Sequence, residues 1–226
     1  MLLKGNICPE YGVIDTTSLV SLIADIEHSD IWNQGDRSKV YKLHVHTRSL
    51  SFIWTPNLYS EEVFYVFNNT KLLNSPIGIA VQKLCTQVTE LCKGTIIKAA
   101  LVRMSPGGSI PLHRDGPHES WTQAHRLHLP IITEPEVLFK YADCSYHLKT
   151  NVLTEVNNQV LHSVVHYGTK DRYHLLLDVL PLDYDGFDII PHDDEELFNA
   201  QRQQEVKELQ PYSPDNMIIP PRSQIN

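Results

Sequence analysis

Hydrophobic positions recur along this chain in three rhythms, and each predicts a different element. In DTTSLVSLIADIEH (15–28), Leu19, Leu22, Ile23 and Ile26 fall at helical spacing behind Asp15 or Thr16 as N-cap, which predicts an amphipathic helix. In SPIGIAVQKLCTQVTELCKG (75–94), Ser75 caps, Pro76 suits the first helical position, and Ile77, Ala80, Leu84, Val88 and Leu91 make one stripe, with Gly94 as the left-handed stop. KVYKLHVHTRSLSFIW (39–54) instead alternates, Tyr41, Leu43, Val45 and Thr47 against Lys42, His44, His46 and Arg48, the period of a half-buried strand with both histidines on its polar face.

From residue 95 to 180 the pattern breaks into short β-branched runs separated by turn residues: TIIKAALVRM, HRLHLPIIT, EVLFKYADC, VLTEV, VLHSVV and YHLLLDVL. Strands of that length, with no helical stretch between them, predict an antiparallel sandwich or barrel that the earlier helices cover on one face. Beyond Leu182, DYDGFDIIPHDDEE (183–196) carries seven acids and reads as a solvated linker, because it lacks the ligand spacing of a calcium loop. The last stretch, with Pro211, Pro214, Pro220 and Pro221, reads as a surface tail. The expected organisation is one catalytic domain: helices and strands over 1–94, a β core over 95–182, and an acidic linker with a proline-bearing tail over 183–226.

Composition narrows the function. Apolar residues make up 42% and charged residues 20% of the 226, which is ordinary globular usage. Nineteen Lys and Arg against 27 Asp and Glu give a net charge of -8, a field that repels phosphate backbones, so nucleic acid is excluded as the main partner. Cys8, Cys85, Cys92 and Cys144 show no zinc-knuckle spacing and read as reduced thiols. MLLKGNICPEYGVID offers no secretory core, and no stretch approaches the ~20 apolar residues of a membrane span. The expected setting is the cytoplasm, without a membrane partner.

The candidate chemistry lies in GGSIPLHRDGPHES (107–120), where glycines and prolines flank His113 and Asp115. Residues i and i+2 of an extended segment point to one side, so this pair projects together and Arg114 turns away. One imidazole and one carboxylate, joined by a distant histidine, form the facial triad of non-heme Fe(II) oxygenases. Taken alone, the motif equally suits a turn with a salt-bridged Asp.

Two other stretches add weight. NNQVLHSVVHYGTKDRYHLLLDV (157–179) places His162 in an apolar β run and Arg172 ten residues on; with YGTKD as a hairpin turn, the two face one cavity from adjacent strands. A buried Arg172 requires an anion, unless it sits at the surface and pairs with Asp171. In HRLHLPI (125–131), Arg126, His128 and Pro130 share one strand face, a poor choice for a core but a good one around carboxylates. His166 alternates to the same face as His162, so either can serve as the distal ligand, with the spacing to Arg172 favouring His162. His118, His125, His147 and His174 read as surface or packing residues.

The succession MSPGGSIPLHRD (104–115), RLHLPI (126–131), NNQVLHSVV (157–165) and DRYHLLLDV (171–179) resembles, in order and spacing, the aspartyl/asparaginyl β-hydroxylase family of Fe(II)- and 2-oxoglutarate-dependent dioxygenases. The resemblance covers roughly residues 95 to 182 and implies a double-stranded β-helix, a cupin-like jelly roll, giving a mainly β fold with flanking helices. It implies His113, Asp115 and His162 as iron ligands, Arg172 on the distal carboxylate of 2-oxoglutarate, and Arg126 with His128 near its metal-bound end. It implies hydroxylation with O2, usually at the β-carbon of an amino-acid unit, releasing succinate and CO2. The substrate implied is an amino acid, a peptide or carrier-bound residue, or a protein. Some members manage with two histidines; this chain keeps the acid, which also argues against halogenation. It departs from the family at His166, where relatives tend to carry a polar amide, and after residue 182. Three rivals stand beside it: a zinc hydrolase, for which no general base is evident, a non-catalytic jelly-roll module with a relic metal site that binds a ligand or protein, and a structural or sugar-binding β-sandwich without iron affinity.

Overall fold

The computed structural model describes residues 8–33, 44–55, 63–115, 124–141, 143–182 and 188–192. Its elements are β1 (Glu10–Val13), α1 (Thr17–Ile26), a 3-10 turn (Asp30–Asn33), β2 (Thr47–Trp54), β3 (Val63–Asn68), α2 (Thr70–Leu73), α3 (Pro76–Cys92), β4 (Gly94–Met104), β5 (Ser109–His113), β6 (His125–Ile132), β7 (Val137–Lys140), β8 (Ser145–Tyr146), β9 (Val152–Glu155), β10 (His162–His166), β11 (Arg172–Pro181) and β12 (Asp188–His192).

The strands form an eight-stranded sheet, β1-β9-β6-β11-β4-β2-β3-β12, and a four-stranded sheet, β5-β10-β7-β8. From β4 to β7 the chain changes sheet at every strand, and β9, β10 and β11 alternate again, which is the winding of the expected double-stranded β-helix. β1, β2 and β3 extend the large sheet beyond that core.

Strand alternation separates two interiors. On the outer face of the large sheet, Leu101, Leu127, Leu129, Leu175 and Leu177 meet Leu19 and Ile23 of α1 and Val81, Leu84 and Val88 of α3 in one apolar core. Each fully buried Leu there stabilises the fold by about 1.5–3 kcal/mol. Between the sheets, Met104, Phe139, Tyr141, Leu148, Val156 and Val164 pack a smaller core. Other inner positions of the large sheet carry Lys98, Arg126, His128, Arg172, His174 and Asp178, all buried.

Local differences from the expected elements have physical reasons. α3 is capped as expected, with Ser75 Oγ accepting the Gly78 N–H at 3.2 Å. The left-handed residue is Lys93 (φ 49°), not Gly94. Gly94 is needed by the sheet instead, because a Cβ there would stand 2.5 Å from the Leu180 carbonyl oxygen of β11. Leu91 is exposed, and Val81 and Cys85 complete the stripe. β2 begins only at Thr47, so His44 and His46 precede the strand; residues 39–43 lie outside the described residues. Within the stretch read as an acidic linker, Asp188–His192 forms β12 and pairs in parallel with β3, since Ile189 and Ile190 make a short β-branched run. The rest of that stretch apart from these five residues, and the proline-bearing tail, lie outside the described residues, as does His118.

Candidate metal centre

The turn into β5 explains the glycines. Gly107 takes φ 75°, a left-handed conformation that favours glycine, and at Gly108 a Cβ would come within 2.8 Å of the Ser105 carbonyl oxygen. Gly107 N–H donates to the His166 carbonyl and His166 N–H to that of Gly108, both at 3.0 Å, which fixes β5 against β10. In this register His113 and His162 are direct cross-strand partners, their ring centroids 4.3 Å apart.

His113, Asp115 and His162 each offer one ligand atom, all within 4.8 Å of one another. Each imidazole is oriented from behind: Nδ1 of His113 lies 2.7 Å from the Pro111 carbonyl oxygen and Nδ1 of His162 2.9 Å from that of Val160. Nδ1–H donates in both, leaving both Nε2 lone pairs for a metal, the usual arrangement behind a metal-bound histidine. Phe139 stacks on His162 at 5.2 Å and 12°. Burial lowers His162 to about 4, so the ring is neutral and ready to coordinate.

Asp115 is held as a one-oxygen ligand. Its N–H donates to the Asn158 carbonyl at 3.0 Å, and its Oδ2 accepts from Arg126 Nη1 and, at 3.3 Å, from Asn158 Nδ2. Oδ1 stands 3.4 Å from His113 Nε2. Burial alone would raise this carboxyl, but Arg126 and both histidines outweigh it and hold it well below the usual carboxylate range. Arg126 also donates from Nε and Nη2 to Asp178, whose Oδ2 lies 3.7 Å from Lys98 Nζ. Next to these groups lies a small polar recess lined by Arg126, Asn157, Asn158 and Gln159.

Arg172 shares the inner sheet face but has no counterion among the described residues. It is 2% exposed, its Nε has no partner, and its one hydrogen bond among the described residues runs from Nη2 to His174 Nδ1 at 2.8 Å. Asp171, the alternative partner considered from sequence, pairs with Arg103. Burial pushes the guanidinium down to about 9, the mark of a cation in surroundings that offer no opposite charge.

The hairpin expected between β10 and β11 does not form. β10 pairs with β5 and β7 and β11 with β4 and β6, so His162 and Arg172 belong to opposing sheets. Glu134 makes this crossing, accepting the N–H groups of Thr169 at 2.6 Å and Lys170 at 2.7 Å and thereby folding the connection away from a hairpin turn. His166 stands outside the ligand cluster: its Nδ1 accepts the Gly168 N–H at 3.1 Å and its Nε2–H donates to the Lys170 carbonyl at 2.7 Å. His128 is buried, edge-on to Phe139 at 5.6 Å. Of the histidines read as surface or packing residues, His125 holds Glu155 at 2.7 Å and His147 sits 3.3 Å from the Val137 carbonyl, while His174 contacts Arg172 inside the cavity.

A family model for aspartyl/asparaginyl β-hydroxylase matches residues 63–181. The chain belongs to that family. The hydroxylase is accordingly an oxygenase acting on a substrate of amino-acid or peptide kind. No curated protein sequence matches it. Among solved structures, the apo form of the non-heme monooxygenase ThoJ superposes with a TM-score of 0.54 at 10% identity, covering 90% of this chain and 95% of that one, which shows a shared fold. The collagen prolyl hydroxylase of Paramecium bursaria Chlorella virus-1, in complex with 2-oxoglutarate, gives 0.46 at 10% identity over 79% and 97% of the two chains. HygX from Streptomyces hygroscopicus, with nickel, 2-oxoglutarate and hygromycin B, gives 0.45 at 11% over 80% and 85%. Among the described residues of the hydroxylase no helix is long and apolar enough to cross a membrane.

Asp178, Asn158 and His174 complete the site beyond the expected residues. Asp178 and His174 share the parity of Arg172 along β11, a signal present in the alternation. Asn158 sits in a turn and carries no such signal.

Proposed function

We propose that the hydroxylase is an Fe(II)- and 2-oxoglutarate-dependent dioxygenase that hydroxylates the β-carbon of an amino-acid or peptidyl residue and releases succinate and CO2. The observation that carries this reading is a pair of unmet demands: two imidazoles and a carboxylate whose ligand atoms lie within 4.8 Å of one another, and a buried Arg172 guanidinium without a counterion among the described residues. A neutral-histidine and carboxylate donor set suits Fe(II), and a planar guanidinium suits a carboxylate two-pronged.

When bound, Fe(II) with 2-oxoglutarate and O2 supplies the oxidative decarboxylation and the oxygen atom transferred to a C–H bond. The chain's own residues do the rest. His113, Asp115 and His162 would hold the metal. Arg172 would take the distal carboxylate of the keto-diacid, and His128 would serve its other end. Arg126, engaged by Asp178 and Asp115, serves that end by fixing the acidic ligand. Neutral His128, held well below its ordinary value by burial and by Arg172 and Arg126, adds no positive charge beside the metal.

Anaerobic addition of Fe(II) and 2-oxoglutarate tests this. The expected result is the charge-transfer absorption of a chelated 2-oxo acid, absent in His113→Ala, followed on admitting O2 by succinate and a hydroxylated product from a panel of amino acids and peptides. Metal binding with no succinate on any substrate would instead identify a non-catalytic binding module.

A further inference from the structure

Asn158 is buried in the turn between β9 and β10, and that turn serves two of the three ligand residues. It leads into His162, whose Nδ1–H donates to the carbonyl of Val160 within the same turn. Three hydrogen bonds hold it in place: Val156 N–H donates to the Arg126 carbonyl at 2.9 Å, Asn157 N–H to Tyr141 Oη at 3.0 Å, and Gln159 N–H to Asn157 Oδ1 at 3.0 Å. Tyr141 is itself buried against Phe139 and His162, so the turn is tied to the interior of the smaller sheet.

From this support Asn158 holds Asp115 twice. Its carbonyl accepts the Asp115 N–H at 3.0 Å, and its Nδ2 donates to Asp115 Oδ2 at 3.3 Å. The direction of the amide follows from its other end, where Oδ1 accepts from Gln159 Nε2 at 3.1 Å. Each carboxylate oxygen offers two lone pairs. On Oδ2, Arg126 Nη1 takes one and Asn158 the other, whereas Oδ1 faces His113 Nε2 at 3.4 Å.

Resting on the ligand set proposed above, we infer that Asn158 is a positioning residue that keeps Asp115 a one-toothed ligand: together with Arg126 it occupies both lone pairs of Oδ2 and withholds that oxygen from the metal. The consequence is a count of positions. Three one-toothed protein ligands leave three positions of an octahedral metal, of which a chelating 2-oxo acid uses two and O2 needs the third. A second carboxylate oxygen would fill that third position. Arg126 alone does not prevent this, since one donor leaves a lone pair of Oδ2 free.

The test counts the waters on the metal in full-length protein loaded with Mn(II), from the relaxation rate of solvent protons, with no turnover. The wild type is expected to carry three. Asn158→Leu, close to isosteric but without a donor, is expected to carry two, so that the contribution of bound water falls by about one third. Asn158→Ala carries the same expectation where leucine is not accommodated. Asn157→Ala loosens the same turn without touching Asp115; it is expected to lower the melting temperature and to keep three waters, a split that a merely structural turn would not give. Three waters in Asn158→Leu or Asn158→Ala, an equal loss in Asn157→Ala, or two waters in the wild type would overturn the assignment. A wild type whose three waters are not displaced by 2-oxoglutarate would overturn the proposed function and leave the assignment of Asn158 standing.

Discussion

Arg126 bridges Asp178 and Asp115: its Nε and Nη2 donate to the first carboxylate and its Nη1 to the second. Asp178 is 1% exposed, so Asp115, the proposed acidic ligand, is anchored through a guanidinium to a buried acid on the central strand β11. This relay explains how a residue just beyond the end of β5, where ladder bonds stop, still presents one oxygen in a fixed direction.

Removing the anchor leaves the ligand set intact but slack. Asp178→Asn is expected to weaken divalent metal binding about tenfold, the lower end of what outer-shell partners contribute. Arg126→Gln leaves the buried Asp178 only Lys98 as an ion-pair partner and the half-buried Asp115 only its weaker hydrogen bonds, and is expected to cost about 3 kcal/mol of folding stability. Metal titration and urea unfolding of the two variants check both outcomes.

The two histidines of β10 separate cleanly in experiment. His162→Ala removes a ligand and is expected to abolish stoichiometric metal binding. His166→Ala keeps metal binding and loses about 1–3 kcal/mol of stability, because the Gly168 N–H and the Lys170 carbonyl lose their buried partner. Metal content after dialysis, together with thermal unfolding, distinguishes them.

The same contrast shows what the sequence carries and what it withholds. Alternation and motif order named His113, Asp115 and His162, whose ligand atoms the fold brings within 4.8 Å of one another, and predicted the jelly roll, since strand parity depends only on local spacing. Sheet membership is not local. The residues from His166 to Arg172 have hairpin composition, yet Glu134, more than thirty positions away, captures Thr169 and Lys170 and turns the chain into the opposing sheet. His174, read as a surface or packing residue, is buried as packing requires, and its hydrogen bond with Arg172 on the same strand carries no signal in the sequence. Gly94 likewise suited a helix stop, and only the approach of Leu180 shows that the sheet requires it.

Ser49 and Ser51 on β2 present buried hydroxyls without partners among the described residues toward the inner face. Such a group is destabilising in the unliganded protein, so Ser49→Ala is expected to raise its unfolding free energy by about 1 kcal/mol. Urea unfolding of the metal-free protein measures it. A loss of stability of similar size would show that the hydroxyl is satisfied in solution.

Acid should destabilise the metal-free fold through His128 and His174. Both are held neutral well below their ordinary value of 6.5, each by burial first and then by Arg172, with Arg126 and His162 also acting on His128, and His128, His147 and His166 on His174; the Asp115 carboxylate opposes this at His128. Between their folded and unfolded values the unfolded chain binds more protons, so stability falls as pH is lowered; above 6.5 neither state is protonated and the effect is absent. Each group contributes a slope of at most about 1.4 kcal/mol per pH unit. Unfolding free energies measured between pH 7.5 and 5.5 are therefore expected to decline more steeply in the wild type than in His174→Phe, which has one such group fewer. Equal slopes would mean that residue 174 takes up its proton in the folded protein as readily as in the unfolded chain, which its burial beside Arg172 forbids.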